Sequence, residues 1–181
     1  MKSQQREHGP TDRELVEACL ENSRQAQRAL YEKFKIQLYT LVYRLVNDHD
    51  AGNDIIQDAF IEIFRSMKSF RFESSLYTWM RTIVIRNAMS YLKKASRLHL
   101  SEDEIPELPV QGAFNFTAEH LEKAILSLPD QARSVFVLIE IEGYKHREVS
   151  DMLNISEGTS KSQLNYARKL LRTRLATAQY E

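Results

Sequence analysis

The 181-residue chain holds one cysteine, five glycines and four prolines, and each scarcity removes a class of structure. A single Cys19 cannot form an internal disulfide, and beside Leu15, Val16 and Leu20 it reads as a small buried hydrophobe instead of a redox sensor. So few helix breakers, with abundant Leu, Ala, Glu, Lys, Arg and Gln, favour an all-helical protein. No apolar run approaches the length that crosses a bilayer, and the opening MKSQQREHGPTDRE lacks the hydrophobic core of a signal peptide. A cytoplasmic protein without membrane insertion is expected, and in that compartment the sequons at Asn115 and Asn154 mean little. The five histidines, at positions 8, 49, 99, 120 and 146, show no ligand spacing. There is no Gly-rich phosphate loop and no grouping of Ser, Cys and His that suggests a nucleophile. No catalytic residue, metal or cofactor is therefore expected, and nothing points to an enzyme.

Formal charge sums to zero, which would argue against a nucleic-acid partner if the charges were mixed, but they are segregated. From Arg65 to Arg97 eight bases face one acid, Glu73, whereas Asp48 to Glu62 holds five acids and no Lys or Arg. A second acidic cluster, Glu102, Asp103, Glu104 and Glu107, follows. Two basic surfaces are thus separated by acidic ones.

Periodicity divides the chain. Helices are expected over Asp12 to Asn22, Arg24 to Asn47, Ala51 to Met67 and Leu76 to about Ala95, with Thr11 or Asp12 capping the first and short polar breaks between the rest. Leu38, Leu41, Val42 and Leu45 keep a 3.6 period, as do Ile55, Ile56, Ala59, Phe60 and Ile63, so these helices should pack on one another. Residues 96–117 lose the periodicity and gain Pro106, Pro109 and Gly112, which predicts an acidic, flexible linker. Beyond it Leu121 to Ser127 is helical, Leu128-Pro129 stops the helix, and Asp130 to Glu142 carries Ala132, Val135, Phe136, Leu138 and Ile139 on a core face. The expectation is two small helical domains, 11–95 and 118–178.

The end of the second domain is the most telling. Gly143 can close a helix in a left-handed conformation, His146 to Leu153 sets Val149, Met152 and Leu153 on one face, Asn154-Ile155-Ser156 turns, and Ser156 can cap a final helix to about Leu175. Between Gly158 and Leu175 stand five bases and no acid, while Leu164, Ala167, Leu171 and Leu175 recur at helical spacing. That is the pattern of a DNA-reading helix-turn-helix, although a helical hairpin with a solvated basic face shares it.

The basic stretch Phe64 to Arg97 interleaves rings with cations: Phe64, Phe70, Phe72, Tyr77, Trp79 and Tyr91 among Arg65, Lys68, Arg71, Arg81, Arg86, Lys93 and Lys94. Cations that track phosphates and rings that stack bases suit single-stranded DNA, whereas Trp79, with Ile83 four residues on, reads as core. The loop Ser69 to Ser75 could bond the edge of one extruded base through Arg71, Glu73, Ser74 and Ser75. Asp54, Asp58 and Glu62 follow at four-residue steps and share a helix face opposite the apolar stripe. A solvated face, a protein-docking face and a metal site all fit, the last least, because helical carboxylate sites usually add a Glu-x-x-His pair and none occurs here.

These separate points converge. The chain resembles bacterial sigma factors of the extracytoplasmic-function type, in the sigma-70 family, through Ala29-Leu-Tyr31, Ala51-Gly-Asn-Asp-Ile-Ile-Gln-Asp-Ala-Phe60, Phe70, Trp79-Met-Arg-Thr-Ile83, Arg86-Asn87, Leu128-Pro129 with Arg133 and Val135, Glu157-Gly-Thr-Ser-Lys-Ser-Gln163 and Ala167-Arg168. The match runs in order from about Asp12 to Leu175.

The resemblance implies a subunit that binds core RNA polymerase, directs it to promoters and helps to open the DNA. It gives Asp54, Gln57, Asp58 and Glu62 to polymerase binding. It assigns Phe70, Arg71, Phe72, Ser74, Arg86, Asn87, Tyr91, Lys93 and Lys94 to the minus-ten element, with a flipped base of the melted non-template strand in the Ser69 to Ser75 loop. Arg147, Thr159, Lys161, Ser162, Gln163, Asn165 and Tyr166 would serve the minus-thirty-five duplex. Gln163 could bond adenine in bidentate fashion, and Arg147 and Lys145 would add phosphate contacts that weaken with salt. An anti-sigma factor is the partner the family implies. Ser160 stands where the family commonly has Val, Gln163 and Tyr166 where it has Arg, and Ser90-Tyr-Leu-Lys-Lys94 is less basic than usual, so the promoter sequence is open. The competing reading is a stand-alone helix-turn-helix regulator of duplex DNA; a helical carboxylate metalloenzyme is a remote third.

Overall fold

A computed structural model describes residues 10–96 and 117–177 of the protein. Most of the expected linker, with its acidic cluster, Asn115 and His99, lies outside the described residues. Eight α-helices and no strand occur among those that are described: α1 Asp12–Leu20, α2 Arg24–Val46, α3 His49–Ser66, α4 Leu76–Ser96, α5 Ala118–Leu126, α6 Asp130–Phe136, α7 His146–Leu153 and α8 Glu157–Thr177. The chain is all-α, as its composition predicts. None of the described helices is long and apolar enough to cross a membrane.

Local chemistry sets the boundaries. Thr11 and Glu14 form a reciprocal capping box on α1, the Thr11 N–H donating to Glu14 at 2.7 Å and the Glu14 N–H to the Thr11 hydroxyl at 3.3 Å. The two Thr11 donors hold the Glu14 carboxyl below the usual carboxylate range. Ser23 and Asp48 cap α2 and α3 by accepting from the Ala26 and Ala51 amides. Asn47, at φ 53°, ends α2 in the left-handed region, where Asn is tolerated better than most residues. Helix α3 therefore begins two residues earlier than its apolar pattern suggests, because Asp48 caps ahead of the first buried position. It runs on into a 3-10 turn, Met67–Ser69. Helix α6 passes into a π turn, Val137–Ile141, before Gly143 at φ 76° stops it.

The apolar periodicities become two packed groups. Leu30, Leu38, Leu45, Ile63, Met67, Leu76, Met80 and Ile85 are fully buried among α1 to α4; Leu128, Ala132, Val135, Leu138, Val149 and Ala167 are fully buried among α5 to α8. Cys19 is buried as a small hydrophobe should be. The groups meet where α2 lies against α6 and α4 against α7. Across that seam Arg44 grips Glu122 with three hydrogen bonds of 2.8 to 3.1 Å, and Arg81 reaches both the carboxylate (2.9 Å) and the carbonyl (3.2 Å) of Glu142. Arg133, only 2% exposed, binds the Leu128 carbonyl and Asp130 at 2.7 Å and reaches the Leu45 carbonyl of α2 at 3.3 Å. A guanidinium this deep is tolerable because carbonyls and a carboxylate take up its terminal donors, leaving only the buried Nε without a partner.

Candidate functional site

The acidic face of α3 is built as its spacing demands. Asp54, Gln57 and Asp58 are exposed, while Ile55, Ile56, Ala59 and Ile63 on the opposite side are buried. Glu62 differs from its neighbours: half-buried, it accepts from Arg86 and, at 2.8 Å, from Asn87 of α4. One carboxylate thus ties the acidic face to two residues assigned to DNA. Ile61, 42% exposed, joins the face beside Gln57 and Asp58, four and three residues before it. Sequence reasoning passed over it, although an Ile outside the buried stripe of an amphipathic helix is a usable signal.

The second surface starts at the loop after α3. Phe70 is buried against Trp79, ring centroids 5.2 Å apart, and Phe72 leans on Phe70 at 4.7 Å while staying 37% exposed. Of the two rings considered for stacking, Phe72 is therefore the one presented to solvent. It also has φ 60°, an unusual conformation for a bulky side chain that costs on the order of 1–3 kcal/mol. Arg71 and Ser74 are exposed beside it, and Ser75 caps α4 by accepting from the Thr78 amide at 3.1 Å. Down α4, Tyr91, Lys93 and Lys94 are exposed, as is Arg86. Arg13 of α1, absent from the candidates read in the sequence, lies over the Phe72 ring at 4.3 Å; no local pattern announces a partner from so far along the chain.

The third surface is the helix-turn-helix itself. Asn154, at φ 55°, makes the turn, and the Ser156 hydroxyl accepts from the Thr159 amide at 2.9 Å. Lys161, Ser162 and Asn165 are exposed, Gln163 is half-buried, and Tyr166 packs partly against the core, so its reach is through the phenol end. Arg147 is exposed on α7. Asn165, Arg168, Lys169 and Arg172 line one shallow basic groove further along α8, where Arg168 also meets Glu140 at 2.5 Å. Ser160 is fully buried, its hydroxyl 2.9 Å from His146 Nδ1. The polar substitute for a commonly apolar residue thus finds a partner on α7, which sequence spacing alone did not reveal.

The sites therefore fall on three surfaces: α3 for the acids, the Ser69 to Ser75 loop with α4 for the rings and first set of basic residues, and α7 with α8 for the second.

Comparison with known proteins bears on what this arrangement is. Residues 30–98 match the model of sigma-70 region 2, and residues 118–171 match that of sigma-70 region 4. The ECF RNA polymerase sigma-E factor of Haemophilus influenzae is 26% identical over 185 residues, covering 91% of this chain and 95% of that protein. The sigma-E factor of Escherichia coli K12 is 28% identical over 177 residues, with 89% of this chain and 92% of that one covered. SigM of Mycobacterium tuberculosis is 27% identical over 172 residues, 91% of this chain and 84% of that one. Among solved structures, the sigma factor RpoE of Bartonella quintana in complex with the anti-sigma factor NepR superposes with a TM-score of 0.53 at 22% identity, covering 82% of this chain and 97% of that one. CnrH in complex with the cytosolic domain of CnrY gives 0.52 at 18% identity, covering 90% and 95%.

Proposed function

Because the chain belongs to the sigma-70 family, with a region 2 and a region 4 match in the family's order, we propose that its three surfaces divide the labour of promoter recognition. It is an RNA polymerase sigma factor of the extracytoplasmic-function type, a transcription initiation factor that brings core polymerase to specific promoters and helps to open them. The reading is carried by the joint presence of the acidic α3 face, the ring-bearing loop and the helix-turn-helix in one chain. A stand-alone duplex regulator uses only the last of these.

In this assignment residues 11–95 form the docking and minus-ten domain, 96–117 the linker, and 118–178 the minus-thirty-five domain. Asp54, Gln57 and Asp58 offer polymerase an exposed acidic strip, and Glu62 borders it. Phe70 backs the loop and Phe72 faces the extruded base, with Arg71 and Ser74 at its edge; Arg86, Asn87, Tyr91, Lys93 and Lys94 line α4 where the non-template strand would run. Thr159, Lys161, Ser162, Gln163, Asn165 and Tyr166 present the recognition helix to the major groove, with Arg147 on a phosphate. The polymerisation chemistry belongs to core polymerase, and the chain acts in the cytoplasm as a non-catalytic subunit. Its partners are core polymerase, promoter DNA and an anti-sigma factor, the last by analogy with the relatives solved in such complexes.

The test is transcription. The purified protein, added to core polymerase with fragmented DNA from the source genome, is expected to give starts that depend on it and share two upstream motifs. Specific duplex binding without polymerase, and no such starts, would instead establish the stand-alone regulator.

A further inference from the structure

Phe72 holds a ring where glycine would be easier. Its positive φ disfavours any side chain, yet one flank of the ring leans on Phe70, tilted by 51°. A surface cation also covers the ring, since the Arg13 guanidinium lies over it, 4.3 Å from the centroid. Arg13 is delivered by α1, which packs beside the Met67–Ser69 turn. Its side chain is 64% exposed and has a loose 3.7 Å pairing with Glu17. A planar cation on a solvent-facing ring takes the place a nucleobase would take, since guanidinium groups and bases both stack on aromatic faces.

Resting on the assignment of the Ser69 to Ser75 loop to an unpaired base, we propose that Arg13 is a DNA-contacting residue that exchanges places with that base. Without DNA it fills the stacking face of Phe72. When the strand unpairs, the base takes that face and the guanidinium moves onto a neighbouring phosphate. A separation of 4.3 Å leaves no room for a base between ring and cation, so exchange is the geometry and sandwiching is not. The movement disturbs no core contact, because both of the Arg13 interactions lie at the surface. It also gives the strained ring a use: glycine at position 72 would relax the backbone and remove the platform.

The experiment uses polymerase assembled with the full chain on a promoter mapped by its transcripts, as duplex DNA and as a fork whose non-template strand is unpaired across the minus-ten element. Arg13→Ala is expected to weaken fork binding about 5- to 10-fold and to reduce the slope of log affinity against log salt by about 0.7, one single-strand phosphate contact. Arg13→Lys should restore the slope, and affinity for core polymerase should not change in either variant. Phe72→Gly should weaken fork binding about 5- to 100-fold, the range of one lost stacking contact, while its thermal midpoint equals or exceeds that of the parent. Unchanged affinity and slope in Arg13→Ala would overturn the proposal, as would tighter binding, which would make Arg13 a competitor of the base and nothing more. So would a Phe72→Gly variant that binds the fork normally. A parent complex that prefers the fork no more than the duplex would overturn the loop assignment itself and this proposal with it.

Discussion

Asp58 and Glu62 sit one turn apart on α3, yet they offer different experiments. Asp58 is exposed, so Asp58→Lys should change folding stability by no more than about 0.5 kcal/mol. If the face docks on polymerase, the same change places a cation in the contact and should lower affinity for core polymerase at least about 10-fold, read by fluorescence anisotropy beside a melting curve. Normal assembly would remove the docking assignment. Glu62 already serves Arg86 and Asn87, so replacing it perturbs α4 as well as the face and cannot separate the two. Ser160 makes an internal prediction of the same kind. With the hydroxyl gone, the half-buried His146 Nδ1 loses its 2.9 Å partner, and Ser160→Ala should cost about 1 kcal/mol in denaturant unfolding. An unchanged midpoint would mean that the pair does not tie α7 to α8.

Among the elements, α8 carries a prediction about kind of contact as well as strength. Lys161 is exposed; if it meets a phosphate, as proposed, Lys161→Ala should weaken all minus-thirty-five sequences alike and lower the salt slope by about 0.9. Gln163 is half-buried against the helix and polar at its tip. Gln163→Ala should cost about 1–3 kcal/mol on the preferred site and relax choice at one base pair, read from binding to a set of single-base variants. Uniform loss from both would leave the helix in the groove without a reader at 163. At the other end of the chain, α1 depends on the Glu14 carboxylate. Its donors from Thr11 lower the folded pKa, so the capping contribution is present above the ordinary carboxylate range and fades as pH falls through the depressed folded value. The protection factor of amide exchange over Asp12 to Leu15, the intrinsic rate at each pH divided out, should fall over that acid window, and Glu14→Gln should flatten the response.

These elements also mark what a sequence can disclose. Helix α7 was legible to the residue, because Gly143 announces a left-handed stop, Asn154-Ile155-Ser156 a turn, and Val149 fixes the face between them. The acidic face of α3 was legible because a four-residue step is itself a geometry. Phe72 was not, since a phenylalanine carries no signal of positive φ. Nor were Arg13 over Phe72, a helix against a loop, and His146 on Ser160, a helix against a helix, since no short-range periodicity relates the partners. The π turn at Val137–Ile141 was equally silent, its composition being that of ordinary helix.

At the scale of the molecule, each of the two groups carries a different proposed DNA surface, so the seam between them would set how those surfaces stand to each other. Its polar contacts are unequal. Arg81 and Glu142 are 19% and 10% exposed, Arg44 and Glu122 26% and 32%, so water screens the second pair more. Removing Glu142 would leave a deeply placed guanidinium whose Nε already lacks a partner, beside the Tyr144 ring at 5.0 Å. Opening the seam would return that charge to water, which is the cheaper outcome. Removing Glu122 strands a guanidinium that solvent already reaches, which costs about 1 kcal/mol or less. With donor and acceptor dyes on exposed positions of α1 and α8, Glu142→Ala should therefore lengthen the mean separation clearly, Glu122→Ala slightly, and added salt should move the Glu122 variant less than the parent because its screened pair is already gone. Equal separations in all three proteins would mean that neither ion pair by itself sets the spacing, the contact of α2 with α6 and the Arg133 bond to the Leu45 carbonyl being enough to hold the groups together. A separation that opens with Glu142 would identify one carboxylate as the control on the spacing of the two promoter-reading surfaces.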